Sequence, residues 1–137
     1  MPVCSTIKVR GFHLDVYGHV NHARYLEFME AARWEYFMHE LDLREWRSKH
    51  GLIWVVVNLN INYRRPADLG EVLEVTADLT RIGNRSAVIH QDIRLEGTDT
   101  VVADADVTFV IADEKSGRAV ALDGELRRVL EGLMSKP

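Results

Sequence analysis

The hydrophobic patterning of the chain predicts an α+β fold, an antiparallel β-sheet wrapped around one long helix. After a short first strand, a stretch with 3.6-residue periodicity begins at His22. From Leu52 to Ala112 the chain then reads as consecutive strands joined by tight turns. Strands connected in this way pair antiparallel, and a helix as apolar as this one needs a sheet to cover it.

Each element follows from its residues. Positions 6–10 alternate, with Ile7 and Val9 on one side, and predict the first strand; 11–18 reads as loop. Tyr25, Phe28, Met29, Ala32, Tyr36 and Phe37 recur on one helical face, which predicts a single long helix ending before Gly51. β-Branched residues and the later alternation of Leu59, Ile61 and Tyr63 predict a long strand over 52–63. Pro66 and Gly70 mark a turn, and 72–79 is a second strand. Ile82-Gly83-Asn84-Arg85 turns into a third strand over 87–95, and Gly97-Thr98-Asp99 turns into a fourth over 101–112. After a turn at 114–117, 123–134 predicts a short helix with Asp123 as its cap. No repeat, linker or low-complexity segment divides the chain, so a single domain over 1–137 is expected.

Hydrophobic residues make up 47% and charged residues 28% of the 137 residues, a balance that supports one buried core. The net charge of −4, with Lys and Arg dispersed, leaves no broad basic face for nucleic acid. The lone Cys4 offers neither an internal disulfide nor a thiol pair for a metal. No apolar run is long enough for membrane insertion or a signal peptide, so a cytoplasmic protein is expected. The sheet covers only part of the apolar helix, and the remainder favours a homodimer or homotetramer.

The most informative stretch runs from Asp15 through Gly18, His19, Val20, Asn21 and His22 to Tyr25. It places a carboxylate in a loop that feeds the start of the helix. The first turn of any helix has N–H groups without intrahelical acceptors, and its positive end favours a developing oxyanion. The amides near Asn21, His22 and Ala23 are placed to polarise a carbonyl, and Asp15 to attack its carbon or activate a water. Gly18 permits both a sharp turn and close approach of a ligand.

Asp15, Gly18, Val20, His22 and Tyr25 resemble the signature of the 4-hydroxybenzoyl-CoA thioesterase branch of the hot-dog superfamily, and within it the acyl-CoA thioesterases associated with the Tol-Pal system. Glu30 and Arg33 match its helical Glu and Arg, and 62–67 and 81–86 extend the likeness over most of the chain. The resemblance implies a hot-dog fold, with Asp15 as nucleophile or general base. It also implies that the His22 N–H polarises the thioester, at an active site on a dimer interface. An acyl-CoA substrate and no cofactor are implied. The Gly-His-Val-Asn run also resembles acyl-carrier-protein thioesterases, which leaves both carriers open.

Each residue also has a plainer reading. Asp15 taken alone is a common turn-former, and the resemblance is what makes it catalytic. Gly18, His19, Asn21 and Tyr25 are candidates for substrate contact, while in the plainer reading His19 orients the loop, Asn21 is a natural N-cap, and Tyr25 packs in the core rather than lining the acyl pocket. Four histidines fall between His13 and His39, but without cysteine or a third-ligand arrangement they do not read as a metal site. Glu30 and Arg33, three apart, read as a structural ion pair. Arg64, Arg65, Arg81 and Arg85 cluster at strand ends, and by family position Arg81 and Arg85 are assigned to coenzyme A phosphates. A non-catalytic acyl-CoA-binding domain is the rival of a different class. A hot-dog dehydratase would carry its His and Asp in another loop-helix motif.

Overall fold

Among the described residues the elements run β1 (Val3–Lys8), α1 (His22–Glu40), α2 (Leu43–His50), β2 (Leu52–Tyr63), β3 (Val72–Thr76), β4 (Asp78–Ile82), β5 (Ser86–Leu95), β6 (Val101–Asp113) and α3 (Gly124–Leu133). The structure is a computed structural model and describes residues 3–134, apart from the side chains of residues 39 and 40, so the His39 ring lies outside the described residues. One antiparallel sheet has the order β1-β3-β5-β6-β2, with β4 beside β5. β2 is therefore an edge strand, held to β6 from Leu52↔Asp113 to Tyr63↔Ala103 with a bulge at Val57.

The alternation of β2 decides which face meets α1. Leu59 and Ile61 pack against the core while Asn58, Asn60 and Asn62 face outward. On α1 the buried residues are Tyr25, Phe28, Met29, Ala32 and Phe37, the face that the spacing predicts. The core falls into two clusters. One gathers Val20, Tyr25, Phe28 and Met29 against Leu73, Val75, Ile93 and Ala103, under the start of α1. The other gathers Phe37, Leu43, Leu79, Ile89, Phe109, Ile111, Leu126 and Leu130, at its end.

Four expectations are corrected. The first strand is Val3–Lys8, earlier than 6–10. The long helix is two helices, because α1 closes at an extended Leu41 and the Asp42 side chain accepts from the N–H groups of Arg44 (3.0 Å) and Glu45 (3.2 Å) to start α2. Leu43 and Trp46 continue the apolar spacing across this break and hide it. The strand over 72–79 is split at Ala77: β3 pairs with the end of β5 and β4 with its start, and the Thr76 hydroxyl accepts from the Asp92 N–H at 2.9 Å where the ladder is interrupted. Asp123 occupies the N-cap position of α3, but its side chain makes no capping hydrogen bond.

The cap gives a direct test. Asp42→Ala is expected to lower stability by about 1 kcal/mol, read as a lower Tm in a thermal melt, because two orphan amides of α2 lose their acceptor. An unchanged Tm would mean that packing of Leu43 and Trp46 alone defines the break.

Candidate active site

The loop after β1 is built around Asp15. Its Oδ1 accepts from the backbone N–H of Tyr17 at 2.9 Å and of His19 at 3.4 Å, and its N–H donates to His19 O at 2.9 Å. Gly18 completes the turn at φ +81, a left-handed conformation that a side chain disfavours. A β-carbon there would meet no protein atom within 4 Å, so the positive φ, and not crowding within the chain, is what requires glycine in this turn. Val20 N–H to Ala67 O (3.1 Å) and Ala67 N–H to the Tyr25 hydroxyl (3.2 Å) pin the loop to the start of the helix. Asp15 is half-buried, and its Oδ2 takes no hydrogen bond among the described residues.

The first turn of α1 distributes its donors unequally. Asn21 gives its N–H to His13 O at 2.9 Å, and its side-chain Oδ1 accepts from Ala23 N–H at 3.0 Å. The His22 N–H is left without an acceptor among the described residues. No acidic side chain lies in that turn, so its positive end is not neutralised locally. Of the three amides expected to polarise a carbonyl, the geometry thus frees His22 and occupies the other two.

Asp15 and His22 line one cleft of about 330 Å³, together with Val20, Tyr25, Tyr63, Arg64, Arg65 and Pro66. Tyr63 crosses from the end of β2, donates its hydroxyl to His22 O at 3.1 Å, and packs edge-on against the His22 ring. Burial raises the Tyr63 and Tyr25 phenols above the ordinary tyrosine range. Arg64 binds Asp104 at 2.9 Å and holds that carboxyl below the usual carboxylate range. Arg65 does the same to Glu71 through a two-pronged contact at 2.9 and 3.4 Å.

The remaining candidates lie elsewhere. His19 is exposed, with its ring Nε2 3.6 Å from Asp68 Oδ1, and Asn21 is the helix cap. Arg81 pairs with Val88, which pairs with Thr108, whereas Tyr63 pairs with Ala103. The two arginines of the 81–85 turn therefore sit roughly 17 Å or more along the strand direction from the cleft in the same chain. Arg85 donates to Ala119 O at 3.0 Å. Tyr63, Arg64 and Arg65 are the cleft residues that sequence reasoning undervalued. Their signal is an aromatic and two arginines before a proline, at the end of a long strand.

One further expectation is corrected. The Glu30–Arg33 ion pair does not form: Glu30 Oε1 accepts the Trp34 indole N–H at 3.3 Å, and Arg33 donates to Gln91 Oε1 at 3.0 Å. Among the described residues no group of three or more His, Cys, Asp or Glu is placed to hold a metal ion. His13 is buried, accepts from Arg10 N–H at 2.9 Å through Nδ1 and packs on Phe28. Burial pushes the Cys4 thiol up, away from thiolate reactivity. No described helix is long and apolar enough to cross a membrane.

Comparison with known proteins adds an independent line. A family profile, Thioesterase superfamily, matches residues 17–102. The chain is 52% identical to the long-chain acyl-CoA thioesterase FadM of Escherichia coli strain K12 over 95% of its own length and 98% of that protein. It is 30% identical to the acyl-CoA thioester hydrolase YbgC of Escherichia coli O6:H1, over 72% of this chain and 73% of that protein. In structure it resembles the "YbaW Probable Thioesterase" from Escherichia coli, with a TM-score of 0.89 and 49% identity, covering 98% of this chain and 100% of the other.

Proposed function

Because the chain belongs to the thioesterase superfamily and has the hot-dog fold, we propose that it hydrolyses acyl-coenzyme A thioesters to the free acid and coenzyme A. Asp15 is the nucleophile or general base, and the His22 N–H is the donor to the thioester oxygen. One observation carries the reading: a carboxylate with a free oxygen and a helix amide without an acceptor belong to two residues that line the same cleft.

Two routes use these groups. In the first, Asp15 Oδ2 bonds to the thioester carbon and the carbonyl electrons move onto the oxygen, facing the His22 N–H. Collapse breaks the C–S bond, the thiolate takes a proton from water, and a second water cleaves the acyl-Asp15 anhydride to restore the carboxylate. In the second, Asp15 takes a proton from a water whose oxygen attacks the carbon, and that proton leaves with the thiol. Both routes begin with the same placed pair.

The names of the relatives bear on substrate. Both FadM and YbgC are named for acyl-CoA, which favours that carrier. The much higher identity to FadM favours long acyl chains over the Tol-Pal type. A second groove of about 380 Å³, lined by Trp34, Phe37, Trp54, Val56 and Phe109 among others, supports this by offering apolar surface further along α1. Trp34 and Val56 of this groove, Val57 on the edge of β2 and Met38 of α1 are exposed, which fits a homodimer. A second copy laid antiparallel along β2 brings the Arg81 and Arg85 end of its sheet toward the Asp15 end of the first, where coenzyme A phosphates would be met.

A thiol-release assay across acyl-CoA and acyl-carrier-protein thioesters tests the assignment. Release is expected from acyl-CoA, with kcat/KM rising toward long chains. Absence of release from every acyl-CoA, with release from the carrier-protein thioesters, would transfer the activity to the other carrier.

A further inference from the structure

Two phenols line the cleft beside Asp15 and His22, and they use their hydroxyls differently. Tyr63 donates its O–H to His22 O at 3.1 Å. The Tyr25 oxygen instead accepts the Ala67 N–H at 3.2 Å, and its own O–H meets no acceptor among the described residues. Tyr25 is 3% exposed, so bulk solvent does not serve it either. Glu71 acts on this phenol electrostatically, but that carboxylate is taken up by Arg65 and by the Asp68 N–H at 2.7 Å. Buried donors in native proteins are paired, and leaving one unpaired is costly. The partner of this one must therefore be held in the cleft.

The ring cannot turn away to find another. It stands edge-on to Phe28, with ring centres 6.2 Å apart, and to Tyr63 at 5.5 Å. A long side chain on a helix leans back toward the preceding turn, here the turn that carries the His22 N–H. The cleft also contains the complementary group, Asp15 Oδ2, an acceptor that takes no hydrogen bond from Tyr25 or from any other described residue. A single water can satisfy both, accepting from Tyr25 and donating to Asp15. Its second lone pair then remains for the carbon of a thioester whose oxygen faces the His22 N–H. We propose that the Tyr25 hydroxyl holds the hydrolytic water against Asp15, a catalytic role beyond packing or substrate contact. The proposal rests on the acyl-CoA reading above and deepens it, since it gives the general-base route a placed water. The water oxygen bonds to the carbonyl carbon, the carbonyl electrons move onto the oxygen facing His22, and one water proton passes to Asp15. Collapse breaks the C–S bond and that proton leaves with the thiol, while Tyr25 keeps its own.

Tyr25→Phe removes the hydroxyl and keeps the ring. With a long-chain acyl-CoA, kcat is expected to fall about tenfold or more with KM little changed, the scale of one lost hydrogen bond. The Ala67 N–H loses its acceptor in the same variant and Tm falls too, so a second readout separates the effects. Hydroxylamine attacks a thioester without needing a held water. In its presence the ratio of hydroxamate to free acid should rise severalfold over wild type, whereas damage to the fold alone lowers both products together. A second variant carries a fluorinated tyrosine at position 25, which still accepts from Ala67 but ionises at lower pH. Tyr63, Arg65 and Glu71 act on this phenol, Asp15, His22 and Arg64 share its cleft, and burial, the largest influence, raises it above the ordinary tyrosine range. A phenolate cannot donate, so kcat of the fluorinated enzyme should fall at a pH where the wild type is still fully active. Near wild-type kcat in Tyr25→Phe, an unchanged product ratio, or a pH profile that fluorination does not move overturns the proposal, and the pH profile decides alone if Tyr25→Phe does not fold. A wild type that releases no thiol from any acyl-CoA instead fails the functional reading itself, and the proposal with it.

Discussion

Asp15→Asn is expected to lower kcat by about a hundredfold or more while the protein stays folded, because an amide is a poor nucleophile and a poor base. The choice of asparagine follows from the loop. Its Oδ1 can still accept from the N–H groups of Tyr17 and His19, so the turn that positions residue 15 survives, and only the free oxygen is replaced. Steady-state kinetics on a long-chain acyl-CoA, with circular dichroism and a thermal melt as controls, measure the effect. Asp15→Ala would confuse the matter, since it removes the turn and the chemistry together. A folded Asp15→Asn enzyme with near wild-type kcat would take Asp15 out of the mechanism and leave the cleft without a carboxylate next to the freed amide.

The second large effect separates backbone from side chain at position 22. His22→Ala keeps the N–H and suits a helix, so activity should stay within about tenfold of wild type. His22→Pro deletes the N–H at a first-turn position where proline is tolerated, and should lose about a hundredfold or more, the usual cost of one oxyanion donor. The prediction is sharp because Asn21 and Ala23 have already committed their amides to His13 O and the Asn21 side chain. Among the described residues no neighbouring backbone N–H of that turn is left free to substitute. Thermal melts and size-exclusion chromatography establish that both variants fold and assemble. Equal and severe losses would move the work to the imidazole and make His22 a general acid or base beside Asp15.

The parts of this site that were legible in the sequence are those that are local. Asp15, Gly18, Asn21 and His22 lie within one turn and one helix start, and each has a backbone duty that its residue type announces: an Asx turn, a positive φ, a cap, a first-turn amide. Tyr63, Arg64 and Arg65 join them from the far end of β2, and only the register with β6 and the pairing of Arg64 with Asp104 reveal their place. The same distinction explains the fold. The α1 face was readable from its apolar spacing. The break at Leu41–Asp42 was not, because Leu43 and Trp46 keep the rhythm while Asp42 resets the helix. The split at Ala77 depends on the Thr76 hydroxyl meeting the Asp92 amide across the sheet, a contact invisible along the chain. The absence of a Glu30–Arg33 pair has a similar origin, since Gln91, from a strand far away in sequence, outcompetes the neighbour one turn back.

The division of the core into two clusters bears on how such an enzyme can change over generations. Val20, Tyr25, Phe28 and Met29 support the turn that carries Asp15, whereas Phe37, Phe109, Leu126 and Leu130 support the other end of the helix. Substitutions at well-separated sites that share no partners combine nearly independently. On the proposed reading, drift among the second set would retune which acyl tails are accepted with little effect on the Asp15 turn, the half-buried Cys4 being a neighbour common to both clusters.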